Sequence, residues 1–268
     1  MLIGFTRAVP RAINRCALTH LARTPIDYAR AVEEHEQYEA ALRAAGCEVR
    51  RLPDAPQMPD SVFVEDTAVV LDEIAVIAWP GAESRRGEVD ATVEALRPLR
   101  ALAFIEAPGT LDGGDILVAG KRIFAGQTPR TNADGARQLA SFVAPFGYDL
   151  VTVPVTKCLH LKSAVTSLRA SRSGGQALLI NRDWIDASPF AGYELVDVDP
   201  AEPAAANVLA IGDRVICATE YRRTRERLDR RGYETMTVPA GELAKAEGGV
   251  TCGCLLVNAS SQISHKVY

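Results

Sequence analysis

No stretch of this chain approaches the 18 or so consecutive apolar residues that a membrane-crossing helix needs, and no basic segment followed by an apolar run opens it. A membrane span and a secretory leader are therefore not expected. An excess of positive charge is also lacking: the net value of -4 provides no broad basic face for nucleic acid or an anionic membrane. Cysteine is sparse too. Six residues (16, 47, 158, 217, 252 and 254) are scattered over 268 positions, which excludes a disulfide scaffold and points to reduced thiols in the cytoplasm. No linker or low-complexity segment divides the chain, and the stretch 200–206 is only a loop. One domain over residues 1–268 is expected, with 260–268 as a polar tail.

What is present is a repeat. The spacing of Tyr28, Val32, His35 and Leu42 predicts a helix. Its start is placed at Thr24-Pro25, with Thr24 capping and Pro25 at the first helical position. Gly46 ends it, and residues 47–52 form a strand stopped by Pro53. The same succession, helix, Gly, short strand, Pro, returns at Gly147 to Pro154, Gly192 to Pro200 and Gly232 to Pro239. A copy ending at Pro108 lacks the Gly. Between the copies stand strand pairs, 61–70 with 74–78, 115–119 with 122–125, and 208–211 with 215–218. Five strand–strand–helix–strand units with a period of roughly 40–50 residues point to a propeller or another closed array.

A closed array brings the segments that follow each unit's last strand together near the axis. Those segments carry Asp60, Glu65 and Asp66; Asp112 and Asp115; His160; Asn207; and Cys252. An imidazole can activate a thiol and shuttle its protons, and a carboxylate can orient the imidazole. The remaining acids would lack partners unless the substrate is cationic, and a planar guanidinium would satisfy them. Arg85-Arg86 and Arg130 would fit an amino-acid carboxylate. Blander readings stand beside these. His160 could be structural, Asp112-Gly113-Gly114-Asp115 only a tight turn, and Arg85-Arg86 a solvated helix start after Ser84. Cys252 and Cys254 with His160 could hold zinc or sense redox state. Cys254 is placed in a strand starting near Cys252, on the same face and one step deeper. Cys16, Cys47, Cys158 and Cys217 read as small hydrophobes.

The segments 60–66 (DSVFVED), 111–115 (LDGGD), Arg130-Thr131-Asn132, 159–163 (LHLKS) and 249–252 (GVTC) resemble the motifs of dimethylarginine dimethylaminohydrolases, over about residues 18–257. The resemblance implies a pentein fold, a five-bladed pseudo-symmetric α/β propeller of ββαβ repeats. It implies Cys252 as nucleophile, His160 as general acid/base and Asp112 as the acid positioning the histidine. Glu65 and Asp66 match the acids around the guanidinium. Asp60 and the backbone of Leu18 match the site for the α-amino group, and Arg85 and Arg130 the site for the α-carboxylate. Ala246 matches a backbone contact. The implied partner is a small molecule, Nω-methylated arginine, hydrolysed through a Cys thiouronium with neither metal nor organic cofactor. Arginine deiminases are similar at Gly113-Gly114-Asp115 but have Glu where this chain has Asp112, and an inserted helical domain. Hydrolysis of arginine itself, or an inert pentein used for binding, are the competing readings; a homodimer is one assembly open to it.

Overall fold

The computed structural model describes residues 1–170 and 176–259, so the expected tail at 260–268 lies outside the described residues. Fifteen strands form five three-stranded sheets. The first holds β1 (Leu2–Thr6), followed by α1 (Tyr28–Ala44) and β2 (Cys47–Arg51). The second holds β3 (Ala68–Val70), β4 (Ile74–Ile77), α2 (Val89–Leu96) and β5 (Ala101–Phe104). The third holds β6 (Ile116–Ala119), β7 (Arg122–Gln127), α3 (Ala133–Val143) and β8 (Asp149–Pro154). After the single turn α4 (Leu161–Ala164), β9 (Val165–Ala170), β10 (Gln176–Ile180) and β11 (Glu194–Asp197) form the fourth. The fifth holds β12 (Leu209–Ile211), β13 (Arg214–Ala218), α5 (Arg222–Arg230) and β14 (Glu234–Val238). Then α6 (Gly241–Ala244) leads to β15 (Leu255–Asn258), which returns to the first sheet.

Every sheet has the same wiring. A central strand pairs antiparallel with one neighbour and parallel with the other, and the parallel step needs a crossover, which a helix supplies in four of the five. The repeated glycine marks the exit from that crossover. Gly46 sits at φ 100°, where a side chain is strained, and Gly147, Gly192 and Gly232 repeat its left-handed backbone.

Five apolar clusters lie at the five boundaries between neighbouring sheets. Val76 meets Ile123 and Leu139; Phe124 meets Leu178 and Phe190; Leu179 meets Val215 and Leu228; Ile216 meets Leu42; and Ile3 and Leu255 meet Ile77. The central strands are buried on both faces, so Ile74–Ile77 reads as an unbroken apolar run rather than an alternating one. The ring closes where β15 pairs antiparallel with β1, Leu2 opposite Asn258 and Phe5 opposite Leu255.

Three expectations are corrected. The first helix begins at Tyr28, capped by Asp27, whose side chain accepts from the Arg30 N–H. Residues before it are held extended because the Asn14 carboxamide pairs with both the N–H and the C=O of Ile26. The expected strand over 61–70 is turns and a short 3-10 helix, Val64–Thr67, with a strand only at Ala68–Val70. The fourth unit has no α-helix, only a 3-10 turn at Ser188–Phe190. Aromatic packing fills that place: the Phe124 ring lies 4.6 Å from Phe190 and 5.7 Å from Tyr193. Phe190→Ala should therefore destabilise the protein by about 3–5 kcal/mol, read from the urea midpoint at unchanged m-value.

Candidate active site

The segments that follow the outer strands of the five sheets meet at one end of the ring. Glu65 and Asp66 are presented by the 3-10 turn Val64–Thr67, whose Val62 and Val64 neighbours are pinned in apolar packing. The Glu65 N–H donates to the Cys252 carbonyl at 3.2 Å, which joins the second sheet to the C-terminal loop. Asp112 precedes the turn Gly113–Asp115, and His160 precedes α4. Both glycines of that turn are there for close approach. A Cβ on Gly113 would lie 2.0 Å from the Glu65 carbonyl, and one on Gly114 would lie 2.5 Å from His160 Nδ1. The turn is thus part of the site.

His160 sits between two carboxylates, Asp112 Oδ2 at 3.2 Å from Nε2 and Asp66 Oδ1 at 3.7 Å from Nδ1. Burial alone would push the imidazole down, but Asp66, Asp115 and Asp112 outweigh it and raise its pKa to about 9. Asp112 is itself fixed by the Gly81 N–H, 3.0 Å from Oδ1, and lies 3.7 Å from Arg130. Asp115 accepts from the Leu161 N–H and the Thr128 hydroxyl, which fixes the turn that carries His160; burial raises it to about 6.

Cys252 lies in the turn just before β15. Its sulfur accepts from the Gly249 N–H at 3.3 Å, and the residue is 8% exposed. Burial, then Glu65 and Asp66, push the thiol up to about 12, against the smaller pull of the Gly249 N–H and Lys162. Thr251 anchors the turn. Its N–H donates to Asn207 Oδ1 at 2.9 Å and its hydroxyl to Glu65 at 2.7 Å. Cys254 does not share a strand face with Cys252, because both precede the first strand residue, Leu255. It packs with Tyr38, Leu42 and Cys47.

The acids are not left for a substrate to neutralise. Lys162 donates to Glu65 at 2.6 Å, and Arg85 Nη1 donates to Asp66 at 2.5 Å. Arg85 is no solvated helix start: it is 3% exposed and also donates to Glu88 and to the carbonyls of Phe63 and Asp60. Burial opposes its charge, yet Asp66, Glu88 and Asp112 hold its pKa well above the usual arginine value. Asp66 shows the reverse, drawn down to about 2 because His160 and Arg85 outweigh burial. Lone-acid reasoning missed these pairs because the partners are 19 and 97 residues apart in sequence. Lys162 and Thr251 lay inside the motifs 159–163 and 249–252 without a role assigned to them, and Glu88 lay in none; Asn207 was marked only by its place in the repeat.

A narrow pocket is lined by Cys252, His160, Asp66, Asp60, Arg85 and Arg130, and its wall also includes Ala17, Phe63, Leu159, Ala246, Glu247 and Gly248. Of the expected contacts, Leu18 itself does not line it; its neighbour Ala17 does. Both oxygens of Asp60 accept from the Ala17 N–H. The one metal-like grouping among the described residues is Asp66, Asp112 and His160, which contains neither Cys252 nor Cys254. A cation there would compete with Arg85 for Asp66 and with the proton of His160.

A family model described as N,N dimethylarginine dimethylhydrolase, eukaryotic, matches residues 15–167. The chain is 42% identical over 236 residues to the N(G),N(G)-dimethylarginine dimethylaminohydrolase of Streptomyces coelicolor, covering 88% of this chain and 89% of that protein. It is 37% identical over 237 residues to the protein of the same name from Pseudomonas aeruginosa, covering 87% and 90%. Its fold is similar to that of a cysteine-to-serine variant of the Pseudomonas aeruginosa protein complexed with citrulline, at a TM-score of 0.87 and 34% identity over 95% of this chain and 98% of that one.

Two titrations follow from the geometry. In the ligand-free protein, alkylation of Cys252 by iodoacetamide should be slow at pH 7 and rise about tenfold per pH unit up to at least pH 10. A plateau reached near pH 8 would contradict the thiol's environment. For His160, a pKa raised above its ordinary value stabilises the fold fully below about pH 6.5 and loses that stabilisation as pH rises through about 9. Asp112→Asn should lower the imidazole pKa by about one unit, seen in its NMR titration, and weaken that alkaline loss of stability.

Proposed function

The chain belongs to the dimethylarginine dimethylaminohydrolase family, and we propose that its pocket hydrolyses Nω-methylated arginine to citrulline and dimethylamine or methylamine, with Cys252 as the nucleophile. One observation carries the assignment of roles: a buried thiol and an imidazole backed by Asp112 open onto the same narrow pocket, whose wall also bears Asp60, Arg85 and Arg130.

The charge states give an order of events. At neutral pH the resting site holds a neutral Cys252 thiol and a His160 imidazolium. Glu65 and Asp66 help keep the thiol protonated. A guanidinium entering the pocket adds a further positive charge beside the sulfur and favours the thiolate, whose proton departs to solvent. The sulfur then attacks the guanidinium carbon, forming a C–S bond and a neutral tetrahedral adduct. The imidazolium of His160 donates its proton to the methylated nitrogen, and the C–N bond breaks with release of the amine. The carbon remains bound as a thiouronium cation. Now neutral, His160 takes a proton from water as the oxygen adds to that carbon. Collapse of the second adduct forms the C=O bond and breaks the C–S bond, and the hydroxyl proton passes to the departing sulfur, releasing citrulline and the neutral Cys252 thiol. Asp112, held by Gly81, keeps the imidazole oriented through both steps.

At the other end of the substrate, Asp60 suits an α-ammonium and Arg130 an α-carboxylate. The bonds described for Arg85 leave one Nη1–H for that carboxylate, so Arg85 serves the acids first and the substrate second. The backbone of Leu18, next to Ala17 of the pocket wall, is the further contact proposed for the α-amino group, and Ala246 in that wall is a backbone contact before the loop of Cys252. All six cysteines are unbridged, and no described helix is long and apolar enough to cross a membrane. Both support a cytoplasmic setting.

The assay is citrulline release from arginine, monomethylarginine and asymmetric dimethylarginine by the wild type and Cys252→Ser. The variant should lose at least about a thousandfold in kcat while still binding methylated arginine by calorimetry. Dimethylamine release at a near-normal rate would remove Cys252 from its role. Rapid turnover of arginine by the wild type would instead overturn the substrate.

A further inference from the structure

Three consecutive amides of the segment beside the pocket converge on one carboxylate. The N–H groups of Thr19, His20 and Leu21 donate to Glu247 at 2.8, 2.5 and 2.8 Å. Residues 17–27 contain neither helix nor strand, and Leu21 is 51% exposed. Within residues 17–21 there are two further ties, and both lead to pocket residues. The Ala17 N–H reaches Asp60, and Arg130 donates to the Thr19 hydroxyl at 3.3 Å. Farther along, Asn14 holds Ile26 and Lys245 donates to the Pro25 carbonyl. Glu247 is thus one of three attachments of residues 17–21, and it stands on the loop of the nucleophile.

Its backbone is unusual. Glu247 has φ 60°, the one positive value at a non-glycine residue among those described. A glutamate adopts that conformation only where its surroundings hold it. Here the hold comes from both sides: its own N–H donates to the Ala244 carbonyl, and its carboxylate is clasped by the strap. Gly248 and Gly249 follow at once, and the Gly249 N–H is the one that meets the Cys252 sulfur. On the far side of this loop lies a cavity of about 480 Å³ whose lining includes His20, Leu21, Gly249, Val250, Trp184 and Tyr221. It gives strap and loop space to move when they part.

We infer that Glu247 is a positioning residue: its carboxylate holds the 17–21 strap closed over the pocket, and its left-handed backbone ties that closure to the loop that presents Cys252. Opening the strap releases the carboxylate, removes what holds Glu247 at φ 60°, and lets the Gly248-Gly249 pair relax. Entry of substrate and placement of the thiol are then one motion. Only the kinetic arm of the test rests on the methylarginine reading.

The test compares wild type, Glu247→Gln and Glu247→Gly as full-length proteins. The Gln variant keeps the side-chain length and loses the charge; the Gly variant removes the clasp and suits the left-handed backbone. Hydrogen exchange at residues 19–21 should quicken about tenfold in Glu247→Gln and further in Glu247→Gly, while exchange in the central strand Arg122–Gln127 stays unchanged. Alkylation of Cys252 by iodoacetamide should quicken in both. KM for asymmetric dimethylarginine should rise about tenfold, with kcat altered less than about threefold in the Gln variant. Unchanged exchange at residues 19–21 would overturn the clasp, and quicker exchange with unchanged alkylation would overturn its link to Cys252. Should the Gly variant fail to fold, the Gln variant decides alone. A wild type inactive on methylated arginine would defeat the substrate reading while leaving exchange and alkylation to judge Glu247.

Discussion

Closure of the ring by β15 on β1 is the constraint on which the site depends. A strand pairs in register or not at all, because a slip of one residue would turn Leu255 and Val257 out of the core they share with Ile3 and Phe5. The turn that carries Cys252 immediately precedes that strand. Its position relative to Glu65, in the second sheet, is therefore set by backbone pairing and sealed by the Glu65 N–H on the Cys252 carbonyl. His160 and Asp112 arrive from the third sheet and its exit by the same geometry. A thiol close to the end of the described residues becomes as fixed as a core residue.

Electrostatic balance is the second requirement. Buried carboxylates are costly without partners, and this site holds several around the pocket that the thiol also lines. Arg85, Lys162 and His160 supply the compensating charge, and Asn207 and Thr251 supply neutral donors. The outcome favours a protonated thiol beside a protonated imidazole. Such a site is chemically quiet toward stray electrophiles, and on the proposed mechanism a cationic substrate bound beside the sulfur favours the thiolate.

Much of this was legible from residues alone. The Gly-then-Pro repeat reported real physics, since Gly46, Gly147, Gly192 and Gly232 all take left-handed backbone where a crossover ends. The five-sheet ring and the meeting of Asp112, His160 and Cys252 followed from that period. What stayed hidden was pairing between segments distant in sequence. Nothing near Thr24-Pro25 reveals that Asn14 will hold Ile26 extended and delay the helix to Tyr28. Glu88 stands only three residues from Arg85, but nothing near it announces Asp66 or the carbonyls of Asp60 and Phe63 as its other partners. The missing helix of the fourth unit was masked because Gly192 and Pro200 punctuate its loop as they would a helix. The acids were correctly located, yet the need for a cationic substrate to neutralise them was not, because the protein brings its own cations.

The order in which the chain is made gives the closing strand another meaning. A ribosome delivers the N-terminal sheets first, and they can begin to fold while the remainder is still being synthesised. His160, Asp112 and the acids would then be in place with no sulfur among them. Cys252 emerges just ahead of the strand that completes the ring, so chemistry and architectural completion coincide. A product truncated before residue 252 would carry most of the pocket and lack its thiol.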